Sequence, residues 1–419
     1  MRTLQVENFS CIIAATLEID RLTLIIGPQA SGKSVLGKLS FFAIDVGLTQ
    51  HVSIVRGDNF EKFVQTVKQR FVEWFPIEAW GPNKFKIRFS AGDYAITATR
   101  KSYKGASSDD FRLQFSDAFQ ANYEELADKI DKRSTRNNQS EVSEELERDW
   151  QLQDAIRTAH KKLQGRDAVD FQAFVPAGRS FFTSIGKAIA AFEQGRVLDP
   201  LILRFGRLYT AYKDRQRRYY NEPTQEREAR KTVETILSSL LGGTLQRDGD
   251  REYLLTTDGR KVPLSALSSG QQELLPIITF LPWFSGARTA SLCYIEEPEA
   301  HLFPTTQSRL VQGLVMIASS SSLVMTTHSP YVLTKVNNLL KAGSLGKKLS
   351  EPLRRELEAV IPRRAWLTAR GVRAYAIKDG TLLSILGRDG LIDGEYLDEI
   401  SSELADEFSS LLDLEERNV

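Results

Sequence analysis

Gly27-Pro28-Gln29-Ala30-Ser31-Gly32-Lys33-Ser34 is the stretch on which the interpretation of this chain turns. It fits G-x-x-x-x-G-K-[ST] without a mismatch, and its flanks matter as much as its letters. Leu22-Thr23-Leu24-Ile25-Ile26 before it is a near-continuous apolar run, as a strand buried on both faces of a sheet requires. Val35–Phe42 after it reads as a helix. Glycines at such a turn let backbone N–H groups curl around phosphates, and the helix N-terminus adds a partial positive charge. Lys33 is expected to reach the β and γ phosphates of a nucleotide, and the Ser34 hydroxyl to bind Mg²⁺. A strand-to-helix turn without a ligand needs no Lys-Ser pair at those positions.

Three downstream stretches extend this. Ser291-Leu292-Cys293-Tyr294-Ile295-Glu296-Glu297 is an apolar strand ending in two carboxylates. Successive strand residues face opposite ways, so the pair can divide labour. Glu296 can hold Mg²⁺ through water, and Glu297 can orient or polarise an attacking water. Pro298-Glu299-Ala300-His301-Leu302 follows directly. Leu267-Ser268-Ser269-Gly270-Gln271-Gln272-Glu273 precedes an apolar stretch, and its Ser-Gly at a helix start offers either a second anion site or an ordinary N-cap. Val324-Met325-Thr326-Thr327-His328-Ser329-Pro330 is a strand ending in a His that can contact a γ-phosphate or be purely structural.

Outward from these motifs, strand-like alternation marks Leu4–Glu7, Ile12–Ile19, Lys84–Arg88, Tyr94–Arg100 and Phe111–Phe115, with Ala91-Gly92-Asp93 as a turn. Apolar spacing of three and four from Phe60 to Phe71 predicts a helix over 59–75. Residues 122–164 are charged and helix-rich with weak periodicity, and read as an insertion. Asp379-Gly380 and Asp389-Gly390 read as turns. Leu397, Ile400, Leu404, Phe408, Leu411 and Leu412 give an acidic amphipathic helix, packed on the core or on a partner. The domain boundaries that follow are an N-lobe over 1–104, a helical insertion or lid over 105–241 that remains part of the same domain, a C-lobe over 242–340, and a closing segment with the acidic helix over 341–419.

The whole chain has 419 residues, 42 % of them hydrophobic and 26 % charged, which excludes a largely disordered polypeptide. Lys+Arg number 55 against 54 Asp+Glu, a net charge of +1, so there is no global basic footprint for nucleic acid. No apolar run is long enough for a membrane span, and the N-terminus shows no secretory h-region. Cys11 and Cys293 lie in apolar surroundings and are expected to be reduced core residues, which points to the cytoplasm. A local basic stretch does exist: Arg204, Arg207, Lys213, Arg215, Arg217, Arg218 and Lys231 alternate with Tyr209, Tyr212, Tyr219 and Tyr220. It is open to two readings, a surface for DNA or an acidic DNA-mimic protein, and a solvated helical lid.

In order and spacing these motifs resemble the nucleotide-binding domain of the ABC ATPase superfamily: Walker A, signature, Walker B, D-loop and H-loop in turn. The resemblance implies an α/β fold with a mainly parallel sheet, an antiparallel β edge and a helical lid or insertion. It also implies ATP and Mg²⁺ as ligands, with two copies sandwiching ATP head to tail. Ser269 and Gly270 of one copy would then meet the γ-phosphate held by Lys33 of the other. Glu297 would be the catalytic carboxylate, Glu296 would stand where an aspartate is usual, and His328 would be the switch histidine. The Q-loop glutamine stays open among Gln65, Gln69 and Gln172.

The opening Leu4-Gln5-Val6-Glu7-Asn8-Phe9, the Glu296–Leu302 string and Thr326-Thr327-His328-Ser329-Pro330 resemble the OLD, RecF and SMC-like branch. Pro176-Ala177-Gly178-Arg179 also resembles a motif of OLD-type ATPases, with no role that the sequence assigns. A TOPRIM metal site has no counterpart in the roughly ninety residues after His328. That wording is most similar to the AriA-type ATPase subunits of PARIS anti-phage systems. It implies a homo-oligomeric scaffold and sensor that holds a separate TOPRIM-type nuclease and releases it on meeting a phage protein, which can be an acidic DNA mimic. The alternative is a RecF- or SMC-like DNA-repair ATPase that clamps DNA on binding ATP, although no sustained heptads appear. A transporter subunit is disfavoured by the same motif wording.

Overall fold

A computed structural model describes residues 1–101, 111–134, 154–185, 198–216, 235–236, 238–248, 251–280, 290–318, 321–394 and 406–411 of the chain. Its centre is an eleven-stranded mixed sheet. From one edge it runs β6 (Phe111–Phe115), β5 (Tyr94–Arg100), β4 (Phe85–Ala91), β1 (Arg2–Phe9), β2 (Ile12–Ile19), β14 (Thr381–Ser384), β13 (Val372–Lys378), β3 (Leu22–Ile26), β12 (Ser322–Thr327), β11 (Ser291–Glu296) and β7 (Phe171–Val175). β13, β3, β12, β11 and β7 are parallel, whereas β2, β1, β4, β5 and β6 form an antiparallel wing. The halves meet at β14, which forms a hairpin with β13 and touches β2 at Thr381↔Ala14. A separate three-stranded sheet is built from β8 (Gly243–Asp248), β9 (Arg251–Thr256) and β10 (Lys261–Pro263).

The period of two along each parallel strand assigns the two faces. Leu22, Leu24 and Ile26 of β3 join one core, and Ile25 joins the other. β11 repeats this with Cys293 and Ile295 against Leu292 and Tyr294, and β12 with Leu323 and Met325 against Val324. Each Leu or Ile so enclosed contributes about 2 kcal/mol by leaving water. The first core is covered by helices Pro200–Gln216, Ser269–Phe280, Pro304–Ile317 and Pro330–Leu345. The second is covered by helices Lys33–Val55, Phe60–Trp74 and Asp117–Ser134. Phe9, Phe42, Phe71, Phe75, Trp80 and Phe85 stack edge-on there and join the wing to the helices.

The α/β architecture with an antiparallel edge is the one expected. Several details differ from the sequence-based expectation. The segment 105–241, read as a helical insertion that also carries the strand-like Phe111–Phe115, supplies β6 and β7, the two edge strands of the sheet. The closing segment supplies β13, which lies directly beside β3 near the sheet's centre. Its hairpin turns at Asp379 and Gly380, both in the left-handed region with φ of 47° and 71°. Cys293 is buried as expected, but Cys11 is exposed, because the β1–β2 connection turns sharply at Ser10, where φ is 56°.

The basic stretch begins on the helix Pro200–Gln216. There Arg204 pairs with Asp45 of the helix Lys33–Val55 at 2.5 Å and lies over Phe41, and Tyr209 is buried against Phe205. Side chains from Tyr212 through Lys231 lie outside the described residues, as do Leu397, Ile400, Leu404 and Leu412. Residues 406–411 are helical, and Phe408 and Leu411 are exposed rather than packed on the core.

Candidate active site

The phosphate loop leaves the C-terminal end of β3 and enters the helix Lys33–Val55. Gly32 caps that helix with φ 101°, and a Cβ there would lie 2.4 Å from Ile12 Cδ1, so only glycine fits. Ala30 is also left-handed at φ 58°, which curls the loop's N–H groups inward. Lys33 is buried, and its Nζ donates to the carbonyls of Gly27 at 2.8 Å and Pro28 at 2.7 Å. Burial lowers its pKa, and the carboxylates of Glu297, Glu299 and Glu296 counteract this.

The acidic strand lies one strand away across β12. Leu292, Tyr294 and Glu296 share the face of β11 that meets the helix Lys33–Val55, which brings Glu296 to the Ser34 hydroxyl. Burial pushes the Glu296 carboxyl above the usual carboxylate range, while the Ser34 hydrogen bond, Lys38 and the Ala177 N–H pull it back. Ala177 N donates to Glu296 Oε2 at 3.3 Å. Two buried atoms at this spot, Glu296 Oε1 and Ser31 Oγ, have no hydrogen-bond partner among the described residues, which suits a cation and a phosphate.

Glu297 is the first residue past the strand and adopts φ 41°, a strained conformation for a non-glycine. Its N–H donates to Thr326 O at 3.0 Å, and its Oε1 lies 3.2 Å from His328 Nε2. His328 itself is held by Glu299, whose Oε1 accepts from the His328 N–H at 2.8 Å and from Thr327 Oγ1 at 2.5 Å. Lys33, Ser34, Glu296, Glu297 and His328 therefore come together at the C-terminal ends of β3, β11 and β12, the edge where parallel sheets bind ligands.

Ser269 and Gly270 open the helix Ser269–Phe280. Capping falls to Ser268 and Gln271, whose side chains bond reciprocally to each other's N–H groups at 3.4 and 3.0 Å. Ser269 stays exposed and makes no side-chain hydrogen bond among the described residues. A Cβ on Gly270 would lie 2.8 Å from His301 O, so the helix start sits directly on the chain that follows the acidic pair. Neither residue is hydrogen-bonded to the phosphate loop among the described residues. Of the three candidate glutamines, Gln172 is buried and donates to Phe41 O at 2.9 Å, while Gln65 and Gln69 are exposed on the helix Phe60–Trp74.

Arg179 is the residue whose role the sequence did not assign. It is 0 % exposed. Its Nη1 donates to Glu296 O at 2.7 Å and Pro176 O at 3.1 Å, its Nη2 to Glu297 O at 3.0 Å, and its Nε to Glu273 O at 3.0 Å. Glu273 Oε2 lies 3.3 Å from the same Nε. The one sequence signal was the Pro176-Ala177-Gly178-Arg179 stretch itself.

Residues 22–334 match the profile of a family described as "AAA domain, putative AbiEii toxin, Type IV TA system". No curated protein matches the chain. Among solved structures, the chain is similar to the SMC head domain from Thermotoga maritima, with 12 % identity, a TM-score of 0.40, and 92 % of this chain and 98 % of that one covered. It is also similar to an SmcHead bound to the C-winged helix domain of ScpA, at 11 % identity, TM-score 0.44, and 91 % and 96 % coverage. A third is an Smc head domain with an extended coiled coil, bound to the C-terminal domain of ScpA derived from Pyrococcus furiosus, at 12 % identity, TM-score 0.40, and 97 % and 100 % coverage.

Proposed function

The chain belongs to this AAA-domain family, a P-loop ATPase family, and from that premise we propose that it hydrolyses ATP in composite sites shared by two copies and acts as a scaffold for a separate effector. The observation that carries the ATPase reading is the convergence of Lys33, Ser34, Glu296, Glu297 and His328 at one sheet edge, although they are spread over three loops.

In this reading the loop N–H groups from Gly27 to Ser34 receive the phosphates, and Lys33 exchanges the Gly27 and Pro28 carbonyls for phosphate oxygens. Ser34 and Glu296 would hold Mg²⁺, which would supply positive charge to offset that of the phosphates. Glu297 takes the proton of the water that attacks the γ-phosphorus as the bond to the β–γ bridging oxygen breaks, and His328 keeps the carboxylate aimed. In the same reading Ser269, which is exposed, and Gly270 meet the γ-phosphate of a second copy.

The effector reading rests on the motif wording and on the family's description as a toxin–antitoxin component. In it the ATP-held homo-oligomer retains a TOPRIM-type nuclease and releases it when a phage protein, an acidic DNA mimic among the candidates, engages the assembly. Two variants test the core. Lys33→Ala should lose ATP binding, and Glu297→Gln should bind ATP, stay assembled by sedimentation and turn over about 10²- to 10³-fold more slowly. Wild-type turnover in either variant overturns the ATPase assignment. Co-purification with a separate TOPRIM-type nuclease, lost in Lys33→Ala, is the result expected for the scaffold. ATP-dependent retention of DNA with no such complex would replace it by the DNA-clamp reading.

A further inference from the structure

We propose that Arg179 is a positioning residue that couples the helix Ser269–Phe280 to Glu297, so that hydrolysis responds to what Ser269 and Gly270 touch. The inference rests on the ATPase reading and adds to it a route between the two halves of a composite site.

One guanidinium bridges three segments distant in sequence. It holds its own turn through Pro176 O, the end of the acidic strand through Glu296 O and Glu297 O, and the signature helix through Glu273. A side chain that only filled space there would need no such fork. Glu297 has φ 41°, and both of its peptide flanks are clamped: the N–H by Thr326 O, the carbonyl by Arg179 Nη2. A backbone in a sparsely populated region persists only where its surroundings enforce it. Arg179 is therefore part of what aims the Glu297 carboxylate.

The other end of the fork is on a helix with little freedom to move alone. Gly270 abuts His301 O so closely that no side chain fits between them. Displacement of the helix start by a ligand on Ser269 moves Glu273, one helical turn on, and with it the guanidinium that holds the Glu297 carbonyl. The fork is also incompletely satisfied as it stands. Among the described residues Glu273 Oε2 is buried without a hydrogen bond, and its one ion pair is the 3.3 Å contact with Arg179. A small movement can tighten that pair, and buried charge pairs are sensitive to such geometry.

Arg179→Lys keeps the charge and removes the fork, and Glu273→Gln keeps the shape and removes the counter-charge. Each purified protein is assayed for ATP affinity, KM, kcat and thermal stability beside wild type. Each variant is expected to bind ATP within about 3-fold of wild type and to lose kcat by about 10- to 100-fold, the scale of a misplaced catalytic group. The double variant should be no slower than the worse single one, since both act on one link. Wild-type kcat in a folded variant, or losses that multiply in the double variant, overturns the proposal. A lowered melting temperature with unchanged kcat per folded molecule makes Arg179 a staple only and also overturns it. If Arg179→Lys does not fold, Glu273→Gln carries the test. If wild type itself hydrolyses no ATP, the ATPase reading fails first and this inference fails with it.

Discussion

His160 is a buried histidine, and its burial favours the neutral form. It lies on the helix spanning 154–164, 5 % exposed, beside the Tyr94 ring and 2.8 Å from Gln164 Nε2. Burial pushes its pKa down to about 4, against a smaller upward pull from Asp170, so it is neutral in the fold. In the unfolded chain it titrates near ~6.5. Between those values the unfolded state binds the extra proton, so stability is complete above about pH 6.5 and falls as pH drops toward about 4. The loss attributable to His160 should be about 2 kcal/mol between pH 7 and pH 5. Urea midpoints of wild type and His160→Gln at the two pH values check this, and an equal pH dependence in both would remove His160 as the cause. The same scale explains why the phosphate loop was readable. Its motif occupies eight consecutive residues, Gly27 to Ser34, so composition and spacing alone identify it.

Elements behave differently, because their contacts override local preference. Gly343 lies inside the helix Pro330–Leu345, where alanine is intrinsically better by about 1 kcal/mol. Yet a Cβ at 343 would lie 1.8 Å from Leu367 O, on a backbone segment anchored by the Leu367 N–H donating to Leu339 O at 3.1 Å. Backbone cannot step aside as a flexible side chain can. Gly343→Ala should therefore destabilise by about 1–3 kcal/mol, read as a lower melting temperature. A rise in melting temperature would show that propensity governs instead. Element existence was otherwise visible in periodicity: the apolar spacing from Phe60 to Phe71 matches the helix Phe60–Trp74, and the alternation of 84–100 matches β4 and β5. Nothing local in Phe171–Val175 told that this segment, β7, extends the parallel sheet beside β11.

For the whole molecule, the chain after Leu340 completes the sheet. β13 pairs with β3 from Val372↔Leu22 to Ala376↔Ile26, and Ile377 O sits where a Cβ on Gly27 would meet it at 3.2 Å. A chain ending at Leu340 would expose the unpaired edge of β3 next to the phosphate loop. It is expected to be insoluble or, if recovered, to bind no ATP in an equilibrium assay. Soluble, ATP-binding protein from that truncation would show β13 to be dispensable. The near-neutral total of 55 basic against 54 acidic residues now has local content: Asp45 takes Arg204 and Arg70, and Glu18 and Asp20 take Arg373.

The sequence by itself determined the phosphate loop, the acid-ended strand, the His-ended strand and their order, because each is written in contiguous residues whose types carry the chemistry. Only the tertiary structure decided that β13 lies beside β3, that Ser268 rather than Ser269 caps the signature helix, and that Arg179 joins Glu273 to the acidic strand end. The reason is physical. The acceptors of Arg179 are mostly backbone carbonyls as far as 118 residues away, and a carbonyl has no residue type by which a sequence can announce it.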